Sequence, residues 1–562
     1  LIDQNARNCM SEGGCRVFVI GLDGATLEVI VPLVEAGRLP TFARLMREGA
    51  YGTLLSTIPA TSPPAWTTFM TGKKACKHGI FDFLTPGRDG HQRHYVNATD
   101  IRSSCVWDVL EVEGKRVGLV EIPMTFPPRP VQGFMLSGMM TPSSDVVFTY
   151  PSHLQSELIL ELGDFTLETT FLQGIRPRDM EELIRRLSVW TESRRRAVLY
   201  LMDRYPWDFF MVVFRGTDII QHYGCRFDDQ MTRERFPLGA EKYGLVVDQY
   251  YEKIDRVCEE ILDRMDDRTI VVFMSDHGGG SVNRYFWINR WLFEEGYLKL
   301  KGDSFSTAKY QLSRIPFERV MSVMGWSRGV GRLGRIAVPL LRRRLCEGEE
   351  LIDWKRTRAY GNWRGVGECI NLNVRGREPW GMVDQGAEAE DLRQELTDRL
   401  LSLRDPETGL PVIERVYRRE ELYSGPYANE APDLLLTTHS KRCCLRRELL
   451  PGLVFTTPVA AHGAHRREGI LFLSGPNVRA GVRLEEAGLA DVVPTILYLM
   501  GLPVPEDMDG AVLTGAIDDE HLRSHPILFR APVEWRPGKK VVYTRDEVVR
   551  LEDALRGLGY VD

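Results

Sequence analysis

The chain has 562 residues, 43% of them hydrophobic and 27% charged, with a formal net charge of −6. That length exceeds a single small core and suits a large α/β domain carrying insertions. The slightly acidic balance excludes the basic footprint of a protein that grips nucleic-acid duplexes or anionic membranes over its whole surface. No apolar run approaches the roughly 18 residues of a membrane span.

In chain order, residues 1–15 predict a disordered lead, and residues 1–7 lack the charged and apolar regions of a secretory signal. The ten cysteines are scattered without a CxxC pair, and Cys443 and Cys444 adjoin. That usage predicts reduced thiols and a cytoplasmic location. The core begins at residue 16 with an apolar run over 17–22 that ends in Asp23 and Gly24. An amphipathic helix over 40–47, a short strand, a second helix, a helix over 105–110 and a strand over 118–122 follow. Strands and helices therefore alternate, as in a doubly wound sheet. A long helix over 181–204 feeds a strand over 209–214, and a helix over 243–265 feeds a strand over 270–275.

The character changes over 299–353, where Arg332, Arg335, Arg342, Arg343 and Arg344 accompany apolar residues. This predicts an inserted basic cap with a solvated charged face; docking of the cap on a membrane or a partner is the alternative. Core sequence resumes over 354–515, with a helix over 390–403, a strand over 468–475 and a closing helix over 490–500. Residues 516–562 form a C-terminal extension. The predicted fold is a three-layer α/β sandwich with a mostly parallel central sheet plus the helical cap, its core running over 16–298 and 354–515.

In such a sheet, ligands gather at the carboxyl ends of the strands. Asp23 follows the first strand, Asp218 and His222 follow the strand over 209–214, and Asp276 and His277 follow the strand over 270–275. Carboxylates and imidazoles on one rim suit zinc. Four residues separate Asp218 from His222, so on a helix they share a face. Asp276 and His277 enter a glycine-rich bend, which lets neighbouring side chains turn inward. Ser62 before Pro63 predicts a helix N-cap, where the dipole and free N–H groups favour a phosphate-like anion. The plain alternative is a capping serine without chemistry. His462 and His465 fall in a predicted loop before the strand over 468–475, where one of them is solvated or packed. Each pair alone suits a surface or a cap. Jointly, with the Ser62 oxygen, they supply the roughly six to eight ligands that two ions need.

These blocks, in this order, resemble the alkaline phosphatase superfamily and within it the type I phosphodiesterase and nucleotide pyrophosphatase branch. The matching stretches are Gly21 to Gly24, Pro59 to Ser62 with Thr71 and Gly72, Lys77 to Ile80, Asp218 with His222, Ser275 to Gly278, and Gly463 to His465. The resemblance implies a nucleophilic Ser62, with Thr61 as the weaker candidate. It implies one metal at Asp23, Ser62, Asp276 and His277 and a second at Asp218, His222 and His465, leaving His462 a bystander. Zinc is the implied metal and manganese the alternative. The implied chemistry is attack by a metal-activated Ser62 on a phosphate ester or nucleotide, then hydrolysis of the phosphoseryl intermediate by water. Eukaryotic members of that branch carry Asn and His where this chain has Ala65 and Trp66, so another donor, such as Lys73 or the cap, would meet the phosphate. The missing Arg after Ser62, Pro63 and Pro64 argues against a sulfatase. A phosphomutase or phosphomonoesterase of the same superfamily, and a non-catalytic binding protein on the same fold, are the alternatives.

Overall fold

The computed structural model describes residues 15–557 except 87–92, 164, 166, 169–178, 229, 303–350, 362–366, 450–451 and 459–461. The predicted lead and almost all of the predicted cap, 299–353, thus lie outside the described residues. The central sheet has nine strands. Their order is Val482–Gly488, Ala50–Leu55, Glu468–Ser474, Thr269–Met274, Arg16–Leu22, Phe209–Phe214, Val117–Ile122, Gly133–Ser137 and Thr149–Tyr150. Only Glu468–Ser474 and the edge strand Thr149–Tyr150 run against the others. Arg16–Leu22 sits in the middle, parallel to both neighbours, with Ile20 opposite Val212 on one side and Phe273 on the other.

Side chains alternate across this strand and feed two separate cores. Val17 and Val19 pack with Trp66, Phe69, Val109 and Val493 on one face. Phe18, Ile20 and Leu22 pack with Phe42, Trp190, Tyr251 and Ile254 on the other. Burial on both faces is why the central strands read as unbroken apolar runs. The result is a three-layer α/β sandwich. Helix Val246–Leu262 buries Tyr250, Tyr251, Ile254, Val257, Cys258 and Ile261, the spacing of one helical face. Helix Ser62–Thr71 is instead buried all round and stops at Gly72, whose φ of 64° gives the left-handed C-cap.

A second, four-stranded sheet has the order Ala359–Gly361, Cys369–Leu372, Leu434–Thr438, Ile413–Arg418. It shares a core with Trp291 and with Leu392, Leu396 and Leu400 of helix Ala387–Ser402. These short strands carry too little alternation to have been singled out from sequence. Cys369 and Leu435 of this sheet pack against Ile58, in the loop before helix Ser62–Thr71, where Tyr423 Oη donates to Ile58 O at 2.9 Å.

Two segments read as bend and loop are strands. Gly278–Val282 pairs antiparallel with His462–Arg466, bringing His465 opposite Gly279. The glycines hid this pairing because they carry no hydrophobic signal, yet they are needed for close approach. A Cβ on Gly279 would lie 2.8 Å from Gln221 Oε1, and one on Gly278 would lie 2.1 Å from Glu468 O.

Candidate active site

All the singled-out residues except His462 and Lys73 converge on the carboxyl edge of the central sheet. Asp23 follows Arg16–Leu22, and Asp276 and His277 follow Thr269–Met274. Asp218 and His222 lie one turn apart on helix Gly216–Asp228, with Asp218 Oδ1 3.2 Å from His222 Nε2. Gly24 has a φ of 69° and turns the chain so that its N–H donates to Asp276 Oδ1 at 3.3 Å. A Cβ there would lie 2.9 Å from Asp218 Oδ1, so this position needs glycine.

Ser62 is the first helical residue, not the cap. Thr61 is the N-cap, with extended φ and ψ of −138° and 134°, and no side-chain oxygen caps the helix. The Ser62 hydroxyl is thereby left for other work: it is fully buried and its Oγ lies 3.3 Å from His277 Nε2. Pro63 and Pro64 lack N–H groups, so few backbone donors can meet an anion at this end. Positive charge must come from elsewhere.

Three histidines present their rings in the same way. His277 Nδ1 lies 3.0 Å from Gly278 O, His222 Nδ1 3.1 Å from Gly463 O, and His465 Nδ1 2.9 Å from Ala60 O. A carbonyl only accepts, so each Nδ1 carries a proton, and in a neutral ring Nε2 is left with a lone pair. His222 Nε2 and His465 Nε2 are 3.1 Å apart. A positive centre there, either a cation or the proton that Asp218 favours on His222, relieves the repulsion of two lone pairs at that distance.

The carboxylates point to the same conclusion. Asp23 Oδ1 and Asp276 Oδ2 are buried without a hydrogen-bond partner among the described residues. His277 Nε2 lies 3.7 Å and 3.4 Å from them. Orphaned buried oxygens are rare, and a bound ion or water is the usual partner of such a group. Two groups have the spacing of cation sites: Asp23, Asp276 and His277; and Asp218, His277 and His465. Burial, with Asp23 and Asp218 close by, pushes Asp276 well above the usual carboxylate range. Burial also opposes charge on Asp218, but His222, His465 and His277 hold it well below that range. Burial keeps His277 and His465 below the ordinary imidazole value, suited to neutral donors. For His222 burial works in the same direction, but Asp218 overrides it and raises the ring.

A family model for type I phosphodiesterase / nucleotide pyrophosphatase matches residues 17–465, the span that carries every one of these side chains. The chain belongs to that family. As a type I phosphodiesterase family member it is a hydrolase of phosphoric ester bonds, of the phosphodiesterase and pyrophosphatase type, in a family that is typically metal-dependent. No curated protein matches the chain in sequence. Among solved structures, murine ectonucleotide pyrophosphatase/phosphodiesterase 5, an inactive form in complex with AMP, is 11% identical. The match covers 87% of this chain and 95% of that one, with a TM-score of 0.46. The human protein of the same name is also 11% identical over 91% and 99% of the two chains, TM-score 0.46. Phosphonoacetate hydrolase from Sinorhizobium meliloti, in complex with phosphonoformate, is 14% identical over 87% and 95%, TM-score 0.48.

The remaining residues divide. His462 sits on the same strand as His465, but its ring meets Tyr285 Oη, 2.7 Å from Nε2. Lys73 is not available to a phosphate: its ammonium is buried against Asp507 at 2.5 Å and Ser103 Oγ at 2.9 Å. Trp66 is fully buried, which excludes base stacking, and its Nε1–H donates to Asp23 Oδ2 at 3.1 Å. Arg215 and Glu168 were missed. Arg215 Nε donates to Asp23 Oδ2 at 3.0 Å, and its Nη1 pairs with Glu168 Oε1. A charge directly after the apolar run 209–214 was the available signal for Arg215; Glu168 offered none. Burial, partly offset by Arg215, pushes Glu168 up to about 7.

Proposed function

We propose that the chain cleaves phosphodiester or pyrophosphate bonds of small phosphate esters or nucleotides through a phosphoseryl intermediate on Ser62, with two divalent cations. The observation that carries this reading is the position of Ser62 Oγ, free of any capping role and 3.3 Å from Nε2 of His277, the residue common to both candidate cation groups. Asp23, Ser62, Asp276 and His277 would hold one cation, and Asp218, His222 and His465 the other. Three imidazoles among carboxylates favour zinc over manganese. Bound there, the pair would supply Lewis acidity, favouring the ionised serine oxygen and neutralising charge on the phosphoryl oxygens.

The chain's own residues would do the rest. Ser62 attacks phosphorus, forming the Oγ–P bond while the bond to the leaving oxygen breaks on the opposite side. Helix Ser62–Thr71, buried on every side, fixes that oxygen and lowers the cost of orienting it. Water then attacks the phosphorus on Ser62, restoring the serine hydroxyl and releasing phosphate, or a phosphomonoester where the phosphoryl group still carries the substrate's retained ester. The partly open side at His222 and His465, whose side chains are 12% and 14% exposed, would admit substrate and water.

Ser62→Ala should lower kcat by a factor of about 10³ or more and leave most of the cation content in place, since three ligands of that cation remain. Mass analysis of acid-quenched wild type should find one phosphoryl group on the peptide containing Ser62. Retained turnover in Ser62→Ala, or a label on Thr61, would overturn the assignment. Return of the phosphoryl group to a second position of the substrate would identify a mutase instead.

A further inference from the structure

Asp23 is the most crowded carboxylate of the site, and its two oxygens are treated differently. Oδ2 accepts from both Trp66 Nε1, at 3.1 Å, and Arg215 Nε, at 3.0 Å. Oδ1 is buried with no hydrogen-bond partner among the described residues. A carboxylate with one oxygen saturated and one bare is set to bind a cation through a single atom. Its backbone is held too, because Thr217 Oγ1 donates to Asp23 O at 2.6 Å.

Arg215 is itself built in. Its side chain is 1% exposed. Glu168, also buried, pairs with its Nη1, and Asp218 Oδ2 lies 3.9 Å from its Nη2. Glu168 lies near a second buried pair, Arg194 with Glu121. Burying a guanidinium is costly unless it is paired, and here the partners on either side fix its plane. The side of Arg215 away from Glu168 therefore presents Nε to Asp23 in one orientation.

We propose that Arg215, backed by Glu168 and assisted by Trp66, is a positioning residue for the inner cation: the two donors occupy Oδ2 of Asp23 and leave Oδ1 as its single ligand atom. This rests on the two-cation reading above. It assigns a role to a residue pair that touches neither substrate nor cation. Hydrogen-bonding partners of ligating carboxylates typically govern about 10- to 100-fold in metal affinity. Lysine keeps the charge of Arg215 and loses the fixed fork. Phenylalanine keeps the ring of Trp66 and loses the donor.

The test is titration of the chelator-treated full-length protein with cobalt(II), followed by visible absorption and by calorimetry, for wild type, Arg215→Lys, Trp66→Phe and, as a marker of the inner site, Asp23→Asn. Wild type should bind two equivalents. Arg215→Lys and Trp66→Phe should each weaken the equivalent that Asp23→Asn weakens, by about 10-fold or more, shift its visible band, and leave the other equivalent unchanged. Two equivalents at wild-type affinity in both variants would overturn the proposal. Equal weakening of both equivalents in Trp66→Phe, whose lost N–H reaches Asp23 alone among the candidate ligands, would overturn it as well, marking a general loss of structure. Fewer than two equivalents in the wild type would instead remove the two-cation reading itself.

Discussion

The two halves of the candidate site are built from different materials. The inner half, Asp23, Ser62, Asp276 and His277, is fully buried and rests on strand ends and the start of a buried helix. The outer half, Asp218, His222 and His465, rests on one helix and a short glycine-rich ribbon, and two of its side chains reach solvent. The inner half is dictated by the sheet: where parallel strands stop, these side chains have nowhere else to point. The outer half depends on a helical turn meeting a strand from 241 residues further along the chain, as His222 Nδ1 and Gly463 O show. One residue joins them, since His277 belongs to both candidate cation groups.

The largest expected contrast tests that joint. His277→Ala should lose both cations and nearly all activity, whereas His465→Ala should lose one and keep the inner equivalent. Metal analysis of the purified variants decides it; equal losses in both would erase the division. Next comes Gly24, where the halves touch. Gly24→Ala places a methyl group 2.9 Å from Asp218 Oδ1 at a φ of 69°. Left-handed strain and overpacking together should cost about 2 to 5 kcal/mol in chemical denaturation, with weaker binding at the outer half. Unaltered stability and binding would show that the turn is looser than its geometry.

The smallest effect concerns an imidazole outside both halves. His78 is fully buried, and its Nδ1 accepts from Ile80 N–H at 3.2 Å, the reverse of the site histidines, while Nε2 faces Thr68 Oγ1 at 3.1 Å. Burial, then Arg102 and Lys73, lowers its pKa from 6.5 to about 3. Because the unfolded chain takes up a proton there near 6.5 and the native state does not, stability falls as pH drops below that value. Between pH 7.5 and 5 the loss should be about 2 kcal/mol, and His78→Gln should flatten it by that amount. An unchanged slope of urea stability against pH would assign the loss to other groups.

How much of this was readable from the sequence follows the same division. Asp23, Asp218 and Asp276 announce themselves because each closes or follows an apolar run that only a doubly buried strand explains. His222 is readable from its four-residue spacing to Asp218. His465 could be placed only through the resemblance, since glycine conceals a strand from any hydrophobic pattern. The residues that orient the site were hidden more deeply. Trp66 reads as core, which it is, and nothing in its neighbourhood reveals that its N–H reaches Asp23. Arg215 and Glu168 meet across 47 positions, a pairing that no local pattern encodes. The offset between Thr61 and Ser62 was likewise invisible, because either hydroxyl can precede a proline-started helix.

The central claim is that a buried serine oxygen faces two cations held by these seven residues. Zinc anomalous diffraction from crystals of the zinc-loaded protein tests it most directly. Two peaks are expected, one enclosed by Asp23, Ser62, Asp276 and His277 and one by Asp218, His222 and His465. A single peak, or zinc bound away from the carboxyl edge of the sheet, would contradict it.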